Sequence, residues 1–585
     1  MRDFVRTENQ VILHTKGEMC STVDELIKSR TFSRVFKLFV DHLREQESPL
    51  LEALGCDDQD LEYIPRLLKI IQALAVLPIE DAVKIVPGTD HFIRKAKSLH
   101  TFVEELYNFW RSFDRFLVTH SEHGPDGHDR KPFRTFNVTI NTLTHLVRGV
   151  YRDICENITG DHPRVYRQVP AGCNVAIIAV NKDSNPPGAY AERFAGIPFI
   201  RQVLIVPPLI IDPPMNTRTG RFEKVDKNPL DGIDLKKDEW LCFPAQVGPL
   251  VVFIYFHQKF MGLGCSLANL FELATDSQVS GKPDAVYLFG LPPETLSGFG
   301  NNTTIFYDDE QNDILIGAVP GDDRFGYFGY LKKMILTLHN AVMMKRGRLP
   351  FHGAMVRLVL QGGIPVSLLI IGDTATGKSE TLEALRVNGG HRIREMTIIA
   401  DDMGSLEIGT GGGTVGYGTE IGAFVRLDDL SKGYAFGQMD RAIIMSPDKV
   451  NARVVIPVTT LEHVLAGYPV DFILYANNFE QVDDEHPVIE LFPSSEEALE
   501  VFREGAAMSK GTTSSTGIVH SYFANPFGPP QYRQQHEELA VKLFQAAFKA
   551  GVVVGQLRTR LGIPGYETEG PRQAAETLLE LTAGR

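Results

Sequence analysis

Residues 366–371 (VSLLII) form a largely apolar, β-prone run. The next eight are Gly372, Asp373, Thr374, Ala375, Thr376, Gly377, Lys378 and Ser379, and ETLEALRV (380–387) reads as helix. Strand, GxxxxGK[ST] and helix in immediate succession give the full context of a phosphate-binding loop. The glycines let backbone N–H groups turn inward around phosphate oxygens, and the helix N-terminus adds partial positive charge. Lys378 is placed to reach the β- and γ-phosphates, and the Ser379 hydroxyl to reach Mg²⁺. A buried strand feeding such a helix predicts an α/β chain of mixed α+β sheets, with ATP and Mg²⁺ as ligands.

A second signal follows in IIADD (398–402), an apolar strand ending in Asp401 and Asp402. Taken alone, this is a strand-end turn with solvated carboxylates. After a phosphate loop, the two Asp are catalytic and metal-binding candidates, because hard cations take oxygen ligands at strand C-termini beside phosphates.

The whole chain of 585 residues suggests about three domains at roughly 100–200 residues each. Residues 1–160 read as a helical region. Thr22 and Glu25 form a capping-box pattern, followed by Phe32, Val35, Phe36, Phe39, Val40 and Leu43 at helical spacing. Thr101 and Glu104 repeat the cap signal before an aromatic stripe, Phe102, Leu106, Phe109, Trp110, Phe113 and Leu117, which reads as core. Residues 161–320 read as a mixed α/β domain with strands near 174–180, 202–206 and 250–256. Residues 321–585 read as the nucleotide- and metal-binding domain. The glycine-rich stretch Gly409–Gly418 reads either as a mobile lid or as a tight connection.

Lys plus Arg total 59 and Asp plus Glu total 73, a formal charge of −14. That disfavours nonspecific nucleic-acid binding, which needs a basic face. The six Cys form no CxxC pair, so zinc-site spacing and a disulfide scaffold are both absent. No apolar run approaches the ~20 residues of a spanning helix, and no signal peptide opens the chain. The expectation is a cytoplasmic protein without a membrane or nucleic-acid partner. Nothing here bears on oligomeric state.

The order of motifs around the phosphate loop resembles phosphoenolpyruvate carboxykinase. GYFGYLKK (326–333) is similar to its Tyr-x-Gly-x-x-Lys-Lys segment, and LPFHGAMV (349–356) to its strand histidine. GTEIGAFVR (418–426) resembles the Glu-Gly-Gly segment, NARVVIPV (451–458) the Asn-x-Arg-Val stretch, and MSKGTTSSTGIVHSYFANPFG (508–528) the Lys-x-x-Gly-Thr and Phe-Gly block. The resemblance covers residues 320–585. HPr kinase/phosphorylase is similar at His352-Gly353, Gly372–Glu380 and Ala400–Asp402, but lacks the Lys-Lys segment and the long C-terminal part.

The resemblance implies a phosphotransferase that couples ATP to a small anionic acid, with Lys333, His352 and Asp402 holding Mn²⁺ and with Ser379 and the Asp pair holding Mg²⁺. Taken alone, His352 also fits a satisfied core histidine. Lys332 is implied to be either a second phosphate-facing cation or a solvated helix residue. Tyr327 would lie against the substrate acid, and Arg453 would contact the transferring phosphoryl group. TRTGRFEKVD (217–226), with Arg221, echoes the family's substrate-binding Thr-Gly-Arg-Ser-Pro segment. The specific expected reaction converts oxaloacetate and ATP to phosphoenolpyruvate, CO₂ and ADP. The alternatives are a kinase for another small acid or for a protein serine, as in HPr kinase, and a nucleotide-sensing regulatory protein. The chain departs from the carboxykinase pattern at Gly353-Ala354-Met355-Val356, where the family carries Cys-Ser-Ala-Asn, and in the inner loop residues 373–376, which are nearer to HPr kinase.

Overall fold

The computed structural model describes residues 3–16, 19–56, 60–121, 133–181, 188–218, 222–300, 304–427, 440–509 and 517–583. The chain divides into two compact units, Met1–Asn181 with Ile200–Val206, and Lys182–Phe199 with Pro207–Arg585. Among the described residues, no helix is long and apolar enough to cross a membrane.

The first unit is α/β rather than helical throughout. Strands Phe4–Arg6 and Gln10–Thr15 pair antiparallel, and Gln10–Thr15 continues parallel to Asp114–Ser121 and then Val175–Val180. The Thr22–Glu25 capping box is present, with both reciprocal bonds. Helix Arg30–Glu45 buries Phe36, Phe39, Val40 and Leu43, as the spacing predicts. Thr101 does not cap a helix. It lies inside helix Ala96–Ser112, and its hydroxyl donates back to the Lys97 carbonyl at 3.0 Å. The aromatic stripe also stops short of Leu117, because that helix ends at Ser112 and Leu117 sits in a strand. The helical spacing of Phe113 and Leu117 is coincidental. The intervening Phe116-Leu117-Val118 is a β-prone triplet, buried between two parallel neighbours.

The second unit contains two larger sheets. One runs in the order Trp240–Val247, Leu250–His257, Ala285–Leu291, Ile314–Pro320, Ile305–Asp309 and Glu223–Val225. The other carries the phosphate loop. Its centre is the histidine strand Leu349–Leu360, antiparallel both to the phosphate-loop strand Pro365–Ile371 and to the aspartate strand Ile393–Ile408. Beyond the phosphate-loop strand the pairing turns parallel, to Phe472–Asn477 and then Val553–Arg558. The chain is therefore mixed α/β with mixed sheets.

Both faces of this second sheet are covered, and the period of two along its strands explains how. Ala354, Val356, Leu368 and Ile370 pack against helices Lys378–Asn388 and Glu569–Ala583. Phe351, Met355, Leu369 and Ile371 pack on the other face against Ser495–Glu504 and Arg533–Lys549. The glycine-rich stretch is a tight hairpin connection. Gly409 N–H donates to the Gly413 carbonyl at 2.8 Å, and Ile408 pairs with Thr414.

The first unit's core centres on Phe102, fully buried with ring centroids 5.7 Å from Phe36 and 5.1 Å from Phe39. Phe102→Ala is expected to cost about 3–5 kcal/mol, as large-to-small core changes do. Urea unfolding followed through Trp110 emission in a Trp240→Phe background reads this unit. An unchanged midpoint would mean that the core does not depend on the Phe cluster.

Candidate functional site

Register brings the candidate residues together. On the histidine strand, His352 pairs with Met403, and Gly353 pairs with both Asp402 and Ile371. The end of the phosphate-loop strand, the histidine and the second aspartate therefore lie side by side on three neighbouring central strands. Gly353 is required there, because a Cβ would stand 2.5 Å from the Ile370 carbonyl oxygen. The Gly372 N–H donates to the His352 carbonyl at 3.0 Å and ties the loop to that strand.

The phosphate loop is held by its backbone and by its neighbours. Gly377 has φ +93°, and a Cβ there would meet Thr559 at 2.7 Å, so both conformation and space demand glycine. Ala375 takes φ +62° without being glycine. Its carbonyl accepts from Asn478 Nδ2 at 3.0 Å, and the Thr376 carbonyl accepts from the Thr559 hydroxyl at 2.6 Å. Lys378 Nζ donates to the Gly372 and Asp373 carbonyls at 2.6 and 2.7 Å. Burial lowers the Lys378 pKa. The Ser379 hydroxyl lies 3.4 Å from Asp401 Oδ1, the contact expected of two groups that share a cation.

Behind the loop is a buried charge cluster. Lys332, on helix Phe328–Lys345, is 1% exposed and reaches Asp402 Oδ2 at 2.6 Å and Glu420 Oε1 at 3.2 Å. Burial alone would depress this ammonium, but Asp402 and Glu420 outweigh it and hold its pKa above the usual value. Asp402 is held well below the usual carboxylate range, because Lys332 and His352 overcome the cost of burial. Burial, with Asp402 as neighbour, raises Asp401, and burial pushes Glu420 up to about 8. Lys332 is thus neither solvated nor turned toward the loop. It pairs with two acids, of which Asp402 is held ionised.

His352 is 3% exposed. Its Nδ1 lies 2.5 Å from the Ala524 carbonyl, and its Nε2 lies 3.0 Å from Asp402 Oδ1. A carbonyl only accepts, so Nδ1 carries the proton. A neutral His352 then turns the Nε2 lone pair toward a carboxylate oxygen. Two acceptors at that separation call for a proton or a cation, and imidazole with carboxylate is a suitable Mn²⁺ donor set. The Ala524 carbonyl is the kind of outer partner that orients a metal-binding imidazole. Lys333, the third residue of the expected set, lines the same cleft. Burial, helped by Arg218, lowers it to about 8, and its ammonium lies 4.8 Å from the Phe527 ring centre. A lysine with a lowered pKa is the form that can donate a lone pair.

These groups face one cleft of about 510 Å³, lined among others by Tyr327, Lys333, His352, Lys378, Asp402 and Arg453. Thr374, Ala375, Gly377, Ser379 and Asp401 also line it. Arg453, on strand Arg453–Pro457, stacks 5.4 Å from the Phe424 ring centre. Its Nε is buried without a hydrogen-bond partner, and it forms no ion pair among the described residues. Tyr327 is buried at the start of the lysine helix, and burial raises its hydroxyl pKa. Arg221 lies outside the described residues. Arg218, three positions earlier, is half-buried and acts electrostatically on both Tyr327 and Lys333.

Sequence reasoning assigned no role to Glu420, Arg218, Phe424 or Phe527. Glu420, Phe424 and Phe527 fall within the compared segments 418–426 and 508–528, but only tertiary structure shows which of those positions turn inward. No family model matches the chain, and no curated protein matches it.

Lys332→Met would leave buried Glu420 and half-buried Asp402 without their ammonium, and is expected to destabilise the second unit by about 3–5 kcal/mol. Adding Glu420→Gln should recover part of that loss, because the two sites are coupled. Urea unfolding of the single and double variants measures both terms. Strict additivity would show that the 3.2 Å pair carries no coupling.

Proposed function

We propose that the second unit is an ATP-dependent phosphotransferase resembling phosphoenolpyruvate carboxykinase. The observation that carries this reading is the shared cleft, in which Lys378 and Ser379 of a phosphate loop face Lys333, His352, Asp402 and Arg453. The specific reaction proposed is oxaloacetate plus ATP to phosphoenolpyruvate, CO₂ and ADP. Loss of CO₂ leaves an enolate, and its oxygen takes the γ-phosphoryl group from ATP.

In this reading the loop N–H groups and Lys378 hold the triphosphate. Ser379 and Asp401 would hold Mg²⁺, and Lys333, His352 and Asp402 would hold Mn²⁺. Bound cations would supply charge neutralisation at the phosphoryl oxygens. Arg453, which has no carboxylate partner among the described residues, offers its guanidinium to charge that grows as the phosphoryl group moves. Tyr327 lines the cleft at the position proposed for the small acid, and Arg218 acts on it electrostatically. The Lys332 ammonium keeps Asp402 ionised, and the Ala524 carbonyl keeps His352 Nε2 turned toward Asp402.

A second reading is a kinase acting on another small acid or on a protein serine. It is favoured by the strand after His352. Gly353-Ala354-Met355-Val356 is buried and largely apolar where the carboxykinases carry Cys-Ser-Ala-Asn, and Gly353 abuts backbone.

Purified protein with Mg²⁺ and Mn²⁺ should form phosphoenolpyruvate from oxaloacetate and ATP, measured by product detection. ATP consumption with other acceptors and no phosphoenolpyruvate would transfer the assignment to the second reading. Lys378→Ala should abolish measurable ATP binding, and unchanged affinity would overturn the nucleotide site. Arg453→Ala should lower kcat by about 10³-fold, as loss of a transition-state charge clamp does, with little change in ATP affinity.

A further inference from the structure

The first unit contains a cavity of about 310 Å³ that the proposed phosphotransferase chemistry does not use. It lies among strands Gln10–Thr15 and Asp114–Ser121 and helices Arg30–Glu45, Ala96–Ser112 and Phe133–Thr159. Its walls are predominantly apolar, from residues such as Phe36, Leu106, Phe116, Leu143, Val147 and Ile154. Exposed Asp3 and partly exposed Met19 and Cys20 stand at its open side. Protein interiors pack to crystal-like density, with few voids larger than a water molecule. An apolar cavity of about 150 Å³ stays dry and takes up benzene. This one is roughly twice that size, which is room for a medium acyl chain or a fused ring.

One charged group breaks the apolar lining. Arg115 lines the cavity and is 4% exposed. Its Nε donates to the Gly172 carbonyl at 2.6 Å, and its Nη1 to the carbonyls of Arg111, Phe113 and Trp110 at 2.7, 2.8 and 3.2 Å. Its Nη2 donates to none of the described residues, and no carboxylate forms an ion pair with it among them. Asp114, the preceding residue, favours its charged form. A buried cation is costly unless an anion accompanies it. With Nε and Nη1 committed to carbonyls, the two N–H groups of Nη2 are the donors left for an anion's oxygen. Two half-buried polar groups of the lining are engaged. The Trp110 Nε1 donates to the Ala171 carbonyl at 2.7 Å, and the Tyr151 hydroxyl to Glu104 at 2.5 Å.

We propose that this cavity binds a monocarboxylate with an apolar tail, its head on the free edge of the Arg115 guanidinium and its chain among the apolar side chains. The ligand class follows from the lining alone and does not depend on the function of the second unit.

Trp110 lines the cavity and is one of only two tryptophans in the chain. In full-length protein carrying Trp240→Phe, Trp110 emission is titrated with decanoate, decanol and decyltrimethylammonium. Decanoate should bind saturably and at least tenfold more tightly than decanol, with the cation weakest. Val147→Phe, which fills the cavity from the Phe133–Thr159 helix, should weaken decanoate at least tenfold while keeping the far-ultraviolet circular dichroism. Arg115→Met should abolish the preference of carboxylate over alcohol. Should that variant fail to fold, because four carbonyls depend on it, Val147→Phe and the three-probe ranking still decide. Decanol binding as tightly as decanoate would overturn the carboxylate assignment in favour of a neutral apolar ligand. No saturable binding of decanoate, or unchanged affinity in Val147→Phe, would overturn the cavity as a site.

Discussion

Asp402 is where the second unit's requirements meet. Its carboxylate sits between the Lys332 ammonium at 2.6 Å and the His352 imidazole at 3.0 Å. Its backbone adopts φ +109°, which non-glycine residues seldom take. Each of these features is costly alone. A buried carboxylate needs a cation, and a buried lysine needs a carboxylate. Together they bind the lysine helix to the central strands of the sheet, and they leave one edge of Asp402 toward the cleft. Glu420 then shares Lys332 from the other side. The fold holds two acids against one ammonium. That arrangement keeps Asp402 ionised and raises Glu420, so similar groups a few ångströms apart differ in charge state.

Backbone strain gathers at the same place. Ala375 and Gly377 bend the phosphate loop, and Asp402 turns the aspartate strand. The consecutive residues Phe523, Ala524 and Asn525 all have φ between +48° and +60°. That left-handed tract delivers the Ala524 carbonyl to His352 Nδ1. Non-glycine residues in this region cost of order 1–3 kcal/mol each and persist only where surrounding contacts over-determine them. Here the contacts are visible. Phe523 packs against Phe502, Phe544 and His536, and the buried His536 also reaches the Pro350 carbonyl at 3.1 Å. The aromatic cluster behind the sheet therefore fixes the orientation of the cleft histidine.

What was legible in the sequence was local. The phosphate loop could be read because its strand, turn and helix are contiguous, and because Gly377 serves both turn and packing. Helix Arg30–Glu45 could be read because one face is apolar at helical spacing. The strand Asp114–Ser121 was obscured, because its aromatic neighbours happen to continue the helical period. The charge cluster was legible only as a set of residue types. Lys332 and Asp402 are 70 positions apart in the chain. Lys332 and Lys333 are adjacent in sequence, yet one is held above its usual pKa by two carboxylates and the other is lowered by burial and Arg218. No spacing rule distinguishes them. Only the helix rotation that sends one toward Glu420 and the other toward Phe527 does so.

The formal charge of −14 and the cationic cleft are compatible for the same reason. Exposed acidic groups are screened over about 8 Å at physiological ionic strength, whereas groups facing a partly buried cleft are screened much less. Lys333, Lys378 and Arg453 face the cleft, and Arg218 acts on its residues from beside them. Of these, Arg453 has no internal carboxylate partner among the described residues, and Lys378 bonds to neutral carbonyls. Lys332, with its two acids, is nearly neutral as a group and adds little to the field at the cleft. Charged groups facing the cleft therefore set its local field more strongly than the summed charge of the chain does.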